Sequence, residues 1–407
     1  MELGSVCVGQ YNTCMSWIDR AIIYHIFIDR FALSQSDPRA LSDVPDEDPV
    51  FCGGNIRGVI ERFSYLQELG VNTIWLSPFY KGDAFHGYQL TDFYTMDERF
   101  GTEADLRELI DLAHRNDMRV VVDFVPNHVS HTHPFFLDAK ENPSSTYRDW
   151  FLFTRWPTEY RCFLDVGVLP KLNLENSEAR AHVIGAARKW LTLGLDGFRV
   201  DHIPGPSDDF WIEFHRTLKG EYPDAEFFGE AWMYNVRFKD LKTLLVGNKY
   251  FAWLFGTRVL MRHYKGIFRS LLDFEFNRLI REFGAAQITE SQLRDSLQRH
   301  YKQNTGMTLV SFLDNHDMDR FMYVVGNDKA LFKRCVEIQF ALAAPLAIYQ
   351  GSEFGMTHAK GFAEYAGWGD RVARYMVPWN QKPEFFDFYK EQIRKRKERD
   401  KHLEHHA

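Results

Sequence analysis

Apolar, β-branched runs recur along the 407-residue chain at Ala21–Ile28, Val71–Leu76, Arg119–Val125, Leu195–Val200, Glu226–Gly229, Leu271–Phe276, Met307–Leu313 and Pro345–Tyr349. Between most of them the apolar residues return at helical spacing, so the chain reads as strand and helix in alternation. The best-marked helix follows Asn176 and Ser177: Ala179, Val183, Ala186, Ala187, Trp190 and Leu191 fall on one face, and Gly194 stops it. Another starts at Thr102, with Asp105 three residues on in a capping-box pattern and Leu106, Leu109, Ile110 and Ala113 on one side. Val59, Ile60, Phe63, Leu66 and Leu69 make a third, ended by Gly70. Parallel strands need crossover connections, and eight such units predict an α/β fold, a (β/α)8 TIM barrel.

One connection is too long for that scheme. From Val129 to about Asn176 no clean helical period shows, but aromatic residues crowd together (Phe135, Phe136, Tyr147, Trp150, Phe151, Phe153). That predicts a small irregular subdomain, 129–176, projecting after the third strand. The barrel then takes 17–128 and 177–400, with 1–16 an N-terminal extension and 401–407 a tail.

Composition narrows the partners. Net charge is −7 with no basic block outside the terminal helix, which disfavours nucleic acid and anionic membrane surfaces and suits a neutral substrate. No stretch approaches 18 consecutive apolar residues, and the start lacks a basic region followed by an apolar one, so the expectation is a soluble, unexported, cytoplasmic protein. Five scattered cysteines (Cys7, Cys14, Cys52, Cys162, Cys335) argue against a disulfide framework and for a reducing compartment.

Candidate chemistry lies at the ends of the apolar runs. Gly-Phe-Arg-Val-Asp closes at Asp201, Phe-Phe-Gly-Glu at Glu230, and Phe-Leu-Asp-Asn-His-Asp at Asp317. A barrel gathers side chains from different strands at one rim, and two carboxylates flanking a bond suffice for glycoside hydrolysis. A third can oppose the positive charge of a developing sugar cation. The run Val121 to His128 likewise places Asp123, Asn127 and His128 at the end of the third strand, where polar turn residues are also an ordinary ending.

In this order, Asp123 to His128, Leu-Pro-Lys-Leu-Asn at Leu169 to Asn173, Gly197 to Asp201, Gly229-Glu230 and Phe312 to Asp317 make the chain resemble glycoside hydrolase family 13, the α-amylase superfamily. Lys81 to Tyr88 and Thr91 to Tyr94 look like that family's loop after the second strand. The resemblance implies a retaining enzyme in which Asp201 is the nucleophile, Glu230 the general acid and then base, and Asp317 the transition-state stabiliser. Such an acid must hold its proton near neutrality. It implies further that His86, His128 and His316 bond hydroxyls of the cleaved sugar, that the ring of Tyr88 stacks under it, and that Trp232 lies near the leaving group. Arg199, two residues before Asp201 on a strand, shares its face and can keep the nucleophile ionised.

The departures from the family are informative. Many amylases carry Asp where this chain has Lys171, and that Asp binds a structural calcium with the counterpart of Asn127. An ammonium repels a hard cation, so no calcium, and no other metal or cofactor, is expected; Lys171 puts its own charge there. The Pro-Lys-Leu-Asn form, with Trp232, resembles neopullulanases, cyclomaltodextrinases and maltogenic amylases, although the β-sandwiches that usually flank the barrel in the family are not expected here. Apolar surface left uncovered where a sandwich would pack invites a homo-oligomer. A Lys-His pair common in α-amylases is replaced by Pro204 and Gly205, which keeps both α-1,4 and α-1,6 linkages of small α-glucans open. Three other readings compete: a transferase or isomerase sharing the covalent intermediate, a metal-dependent hydrolase built on His128, His131 and His133, and a non-catalytic relative serving as a binding module, against which all three acids are present with their supporting Arg and His residues.

Overall fold

The structure, a computed structural model, describes residues 15–34, 50–232, 257–364 and 369–404. Most of the expected N-terminal extension, the last three residues of the expected tail, and Cys7 and Cys14 lie outside them. Eight strands form the expected barrel: β1 (Ile22–Ile26), β2 (Thr73–Leu76), β3 (Arg119–Phe124), β4 (Gly197–Val200), β5 (Glu226–Gly229), β6 (Ser270–Leu272), β7 (Thr308–Phe312) and β8 (Leu346–Tyr349). The sheet closes in the order β1-β8-β7-β6-β5-β4-β3-β2, so each strand neighbours the one before it in sequence. Apart from Arg119, every residue of these strands is buried, which is why they read as mostly apolar runs rather than as strict alternation.

Four expectations are corrected. The run Leu271–Phe276 is strand only to Leu272; Asp273 then caps a helix, Phe274–Gly284, by accepting the Phe276 N–H at 2.9 Å. Short apolar runs fit a strand and a buried helix equally, and the cap decides. The helix expected through Val59 and Leu69 is two, Ile56–Glu61 and Phe63–Leu69, meeting at Arg62 with φ −97° and ψ 7°. Gly70 ends the second at φ 95°, a left-handed conformation that glycine adopts without a Cβ clash. Inside 129–176, where no helix was expected, Pro134–Glu141 is helical, with Pro134 in the first turn and a His133 ring nitrogen accepting the Phe135 N–H at 3.2 Å. The last helix runs Phe386–Glu404 and so takes residues 401–404 from the expected tail.

The contacts group the described residues into two compact units, one made of positions up to 75, 112–119 and 272 onward, the other of 76–111 and 120–271. In the first, the core includes Tyr24, Phe31, Trp75, Tyr349 and Tyr389, and the buried Glu353 carboxylate accepts from the hydroxyls of Tyr24 (2.6 Å) and Tyr65 (3.0 Å). In the second, Phe79, Tyr80, Phe93, Phe124, Trp190, Phe198, Phe214 and Phe227 are buried, and Asn176 caps Ser177–Leu193 as its sequence implies. Among the described residues no helix is long and apolar enough to cross a membrane.

Candidate active site

In the second unit the ends of β3, β4 and β5 converge on one guanidinium. Asp123 and Arg199 are partners in the β3–β4 register, and Val200 and Gly229 in the β4–β5 register, so the next residues, Asp201 and Glu230, emerge side by side. Their backbones stay in the ladder: Asp201 N–H donates to Phe124 O at 2.8 Å and Glu230 N–H to Val200 O at 2.9 Å. Arg199 is wholly buried. Its Nη1 donates to Asp123 and, at 2.8 Å, to Asp201 Oδ1, while Nη2 lies 2.5 Å from Glu230 Oε1. Burial opposes the charge, but Asp123, Glu230 and Asp201 outweigh it and hold the guanidinium pKa well above its usual value. Three carboxyl groups around one cation leave excess negative charge in a buried place, which protonation of the cluster relieves. Burial pushes the Asp123 carboxyl up to about 7, against the pull of Arg199.

The loop after β2 attaches to this cluster through Tyr88, whose hydroxyl donates to Asp123 Oδ2 at 3.0 Å. Its backbone N–H donates to His86 Nδ1 at 3.1 Å, which leaves Nε2 to carry the proton of the neutral ring. His128 is buried and stacked on Phe163, with ring centroids 4.7 Å apart. Burial, reinforced by the Lys171 ammonium, pushes its pKa down to about 3, so the ring is a neutral one. Phe163 also meets the His202 ring edge-on at 4.7 Å. His202 has φ 39° and donates its backbone N–H to Glu230 Oε2 at 3.1 Å. Lys171 Nζ donates to Gly205 O at 2.7 Å. Trp232, two residues past Glu230, is half-buried.

In the first unit Asp317 follows β7 and has its own surroundings. Arg374 donates from Nη2 to Asp317 Oδ1 at 2.8 Å and from Nε to His316 O at 3.0 Å. His316 Nε2 is 2.9 Å from Asp317 Oδ2, and the Asp317 N–H donates to Asn315 Oδ1 at 2.9 Å. The buried His316 ring meets His25 edge-on at 5.1 Å, and His25 is stacked on Trp75 at 3.6 Å.

The structure thus joins Asp123, Arg199, Asp201, Glu230 and Tyr88 in one network, and His316 with Asp317 in another. The three histidines of the metal reading have different surroundings: His128 stacks on Phe163 in the interior, His131 is exposed and His133 caps a helix. Sequence reasoning missed Arg374, Phe163 and the His202 N–H. Arg374 lies 57 residues from the carboxylate it holds, and no local pattern marks it.

Residues 25–405 match the family described as "Alpha amylase, catalytic domain". The chain is 34% identical over 393 residues to Alpha-amylase 2 of Dictyoglomus thermophilum, covering 94% of this chain and 64% of that protein. It is 31% identical over 405 residues to Neopullulanase 2 of Thermoactinomyces vulgaris, with the same two coverages of 94% and 64%. A solved cyclomaltodextrinase superposes with a TM-score of 0.79 at 29% identity, over 93% of this chain and 63% of that one. The chain therefore spans a little under two thirds of the length of these relatives. On the closed eight-stranded barrel and a profile match over nearly all of its length, the chain belongs to the α-amylase catalytic-domain family, glycoside hydrolase family 13.

Proposed function

We propose that the chain is a retaining α-glucan hydrolase that cleaves α-1,4, and also α-1,6, glucosidic bonds of maltodextrins and related oligosaccharides. The observation that carries this reading is the single guanidinium shared by Asp201 and Glu230. Retaining hydrolysis needs two carboxyl groups about 5–5.5 Å apart, one attacking and one protonating, and a common partner keeps such a pair close. Arg199 holds Asp201 as an anion ready to attack the anomeric carbon. Glu230 gives its proton to the glycosidic oxygen, the C–O bond breaks, and a glycosyl ester forms on Asp201. Glu230, now a carboxylate, takes a proton from water, whose oxygen attacks the anomeric carbon and releases Asp201.

The family motif and its own surroundings support Asp317 as the stabiliser of the oxocarbenium-like transition state, with Arg374 and His316 fixing its carboxylate. Tyr88, tied by its hydroxyl, offers a half-buried ring to a sugar face, and His86 and the neutral His128 suit hydroxyl partners. The relatives named neopullulanase and cyclomaltodextrinase support pullulan-type and cyclic maltodextrins as substrates. The test is Asp201→Asn and Glu230→Gln, each expected to lose orders of magnitude in activity while folding normally. The wild type is assayed alongside on maltotriose, β-cyclodextrin, pullulan and starch, with linkage and first-formed anomer read by NMR. A near-wild-type rate in either variant, or products of β configuration, would refute the proposal.

A further inference from the structure

We infer that the Lys171 ammonium is a built-in cation that fixes the turn at 202–205 and, through that turn, sets the carboxyl of Glu230, in place of the calcium the family implies. The backbone of Lys171 is anchored first. It bridges His128 in antiparallel fashion, its N–H donates to Arg161 O at 2.9 Å, and the neighbouring Leu172 N–H donates to Asn127 O at 3.0 Å. From that anchor Nζ reaches Gly205 O at 2.7 Å. Gly205 N–H closes the turn on His202 O at 3.0 Å. The turn then touches Glu230 twice, through Ile203 N–H to Glu230 O at 3.2 Å and through His202 N–H to Glu230 Oε2 at 3.1 Å. His202 pays a conformational cost there, since φ 39° is left-handed and a non-glycine residue keeps it only when its surroundings enforce it.

The oxygens at this place would otherwise suit calcium. Asn127 Oδ1 is buried with no hydrogen-bond partner among the described residues, and Gly205 packs so close that a Cβ on it would lie 1.9 Å from that oxygen. Calcium, however, needs six to eight oxygen ligands at about 2.3–2.6 Å. Here one of the available carbonyls already accepts from an ammonium, whose positive charge would face the metal at close range. The residues present do not fit the ion. Lys171 does the metal's structural work, joining the 129–176 segment to the turn after the nucleophile.

This inference rests on Glu230 being the acid, so its test separates the two. Two substrates are compared by kcat/KM, a maltooligosaccharide, whose leaving group needs a proton, and α-maltosyl fluoride, which needs little help. Lys171→Met is expected to lose at least tenfold on the first and under threefold on the second, with Lys171→Arg restoring most of the loss. Glu230→Gln serves as the reference and should discriminate between the substrates even more strongly. If Glu230→Gln discriminates while Lys171→Met slows both substrates equally, or neither, the inference is overturned and the acid assignment stands. If Glu230→Gln itself does not discriminate, the acid assignment falls and the inference with it. Wild-type protein gives an independent reading: kcat/KM and melting temperature should not change on chelation or on added calcium, and a rise of several degrees with calcium would also overturn the inference.

Discussion

His215 makes the stability of the second unit depend on acidity in a way that can be calculated. It lies in the helix Asp208–Glu221, edge-on to Phe268 with ring centroids 4.5 Å apart, beside Phe214 and Phe227. Its Nε2 is shut off from water without a hydrogen-bond partner among the described residues. Burial, with Lys219 adding to it, pushes the imidazole pKa from 6.5 down to about 4. The unfolded chain therefore takes up the proton first as pH falls, so the stability present above pH ~6.5 drains away down to pH ~4 and then levels off. A gap of about 2.5 pKa units at 1.36 kcal/mol each amounts to about 3 kcal/mol. Replacing His215 by Phe keeps an aromatic ring among aromatic rings and removes the titration. Urea denaturation followed by far-UV circular dichroism at pH 7.5, 6, 5 and 4 measures the difference between variant and wild type. It should move by about 3 kcal/mol in favour of the variant between pH 7.5 and pH 4. His128 and His133, also depressed by burial to about 3 and about 4, are present in both proteins and cancel. A difference that is the same at every pH would refute the reasoning.

Three further outcomes follow from the site. Tyr88→Phe removes the hydroxyl that donates to buried Asp123; the loss should be about 1.5–3 kcal/mol at pH 8.5, where Asp123 is ionised, and smaller below its pKa of about 7, as denaturation at the two pH values would show. Gly205→Ala forces a methyl against Asn127 Oδ1, 1.9 Å away, and should cost about 1–3 kcal/mol in stability and lower activity together, measured by melting and by initial rates. Arg374→Met removes one of the two side chains bracketing the Asp317 carboxylate and should lower kcat/KM about 10–100-fold, corresponding to a charge-assisted hydrogen bond of about 1.5–3 kcal/mol, as initial rates would show.

Much of the fold is legible in local pattern because the barrel strands are buried on both faces and the helices carry their own stops. Asn176 and Gly194 bracket a helix that can be read to within a residue. Reading fails where one pattern fits two structures: Leu271, Leu272, Phe274 and Phe276 fit a strand, and the cap at Asp273 turns the second half of that run into helix. The catalytic candidates are legible too, since each ends an apolar run within a motif. What holds them is not. Tyr88 finds Asp123 across 35 residues, Lys171 finds Gly205 across 34, and His202 finds Glu230 across 28. These are facts of chain folding, and neither periodicity nor spacing encodes them. Lys171 is the instructive case. Its charge alone marks it as hostile to calcium, but its partner, the Gly205 carbonyl in the turn after Asp201, is visible only in three dimensions.

The central claim is that Asp201 forms a covalent glycosyl intermediate that Glu230 helps to resolve. Glu230→Gln incubated with α-maltosyl fluoride should accumulate it, because the fluoride leaves without a proton donor while hydrolysis of the ester lacks its base. Mass spectrometry of the intact protein should then gain one maltosyl group, and peptide mapping should place it on Asp201. Full consumption of the fluoride with no adduct, or an adduct on any other residue, would contradict the account.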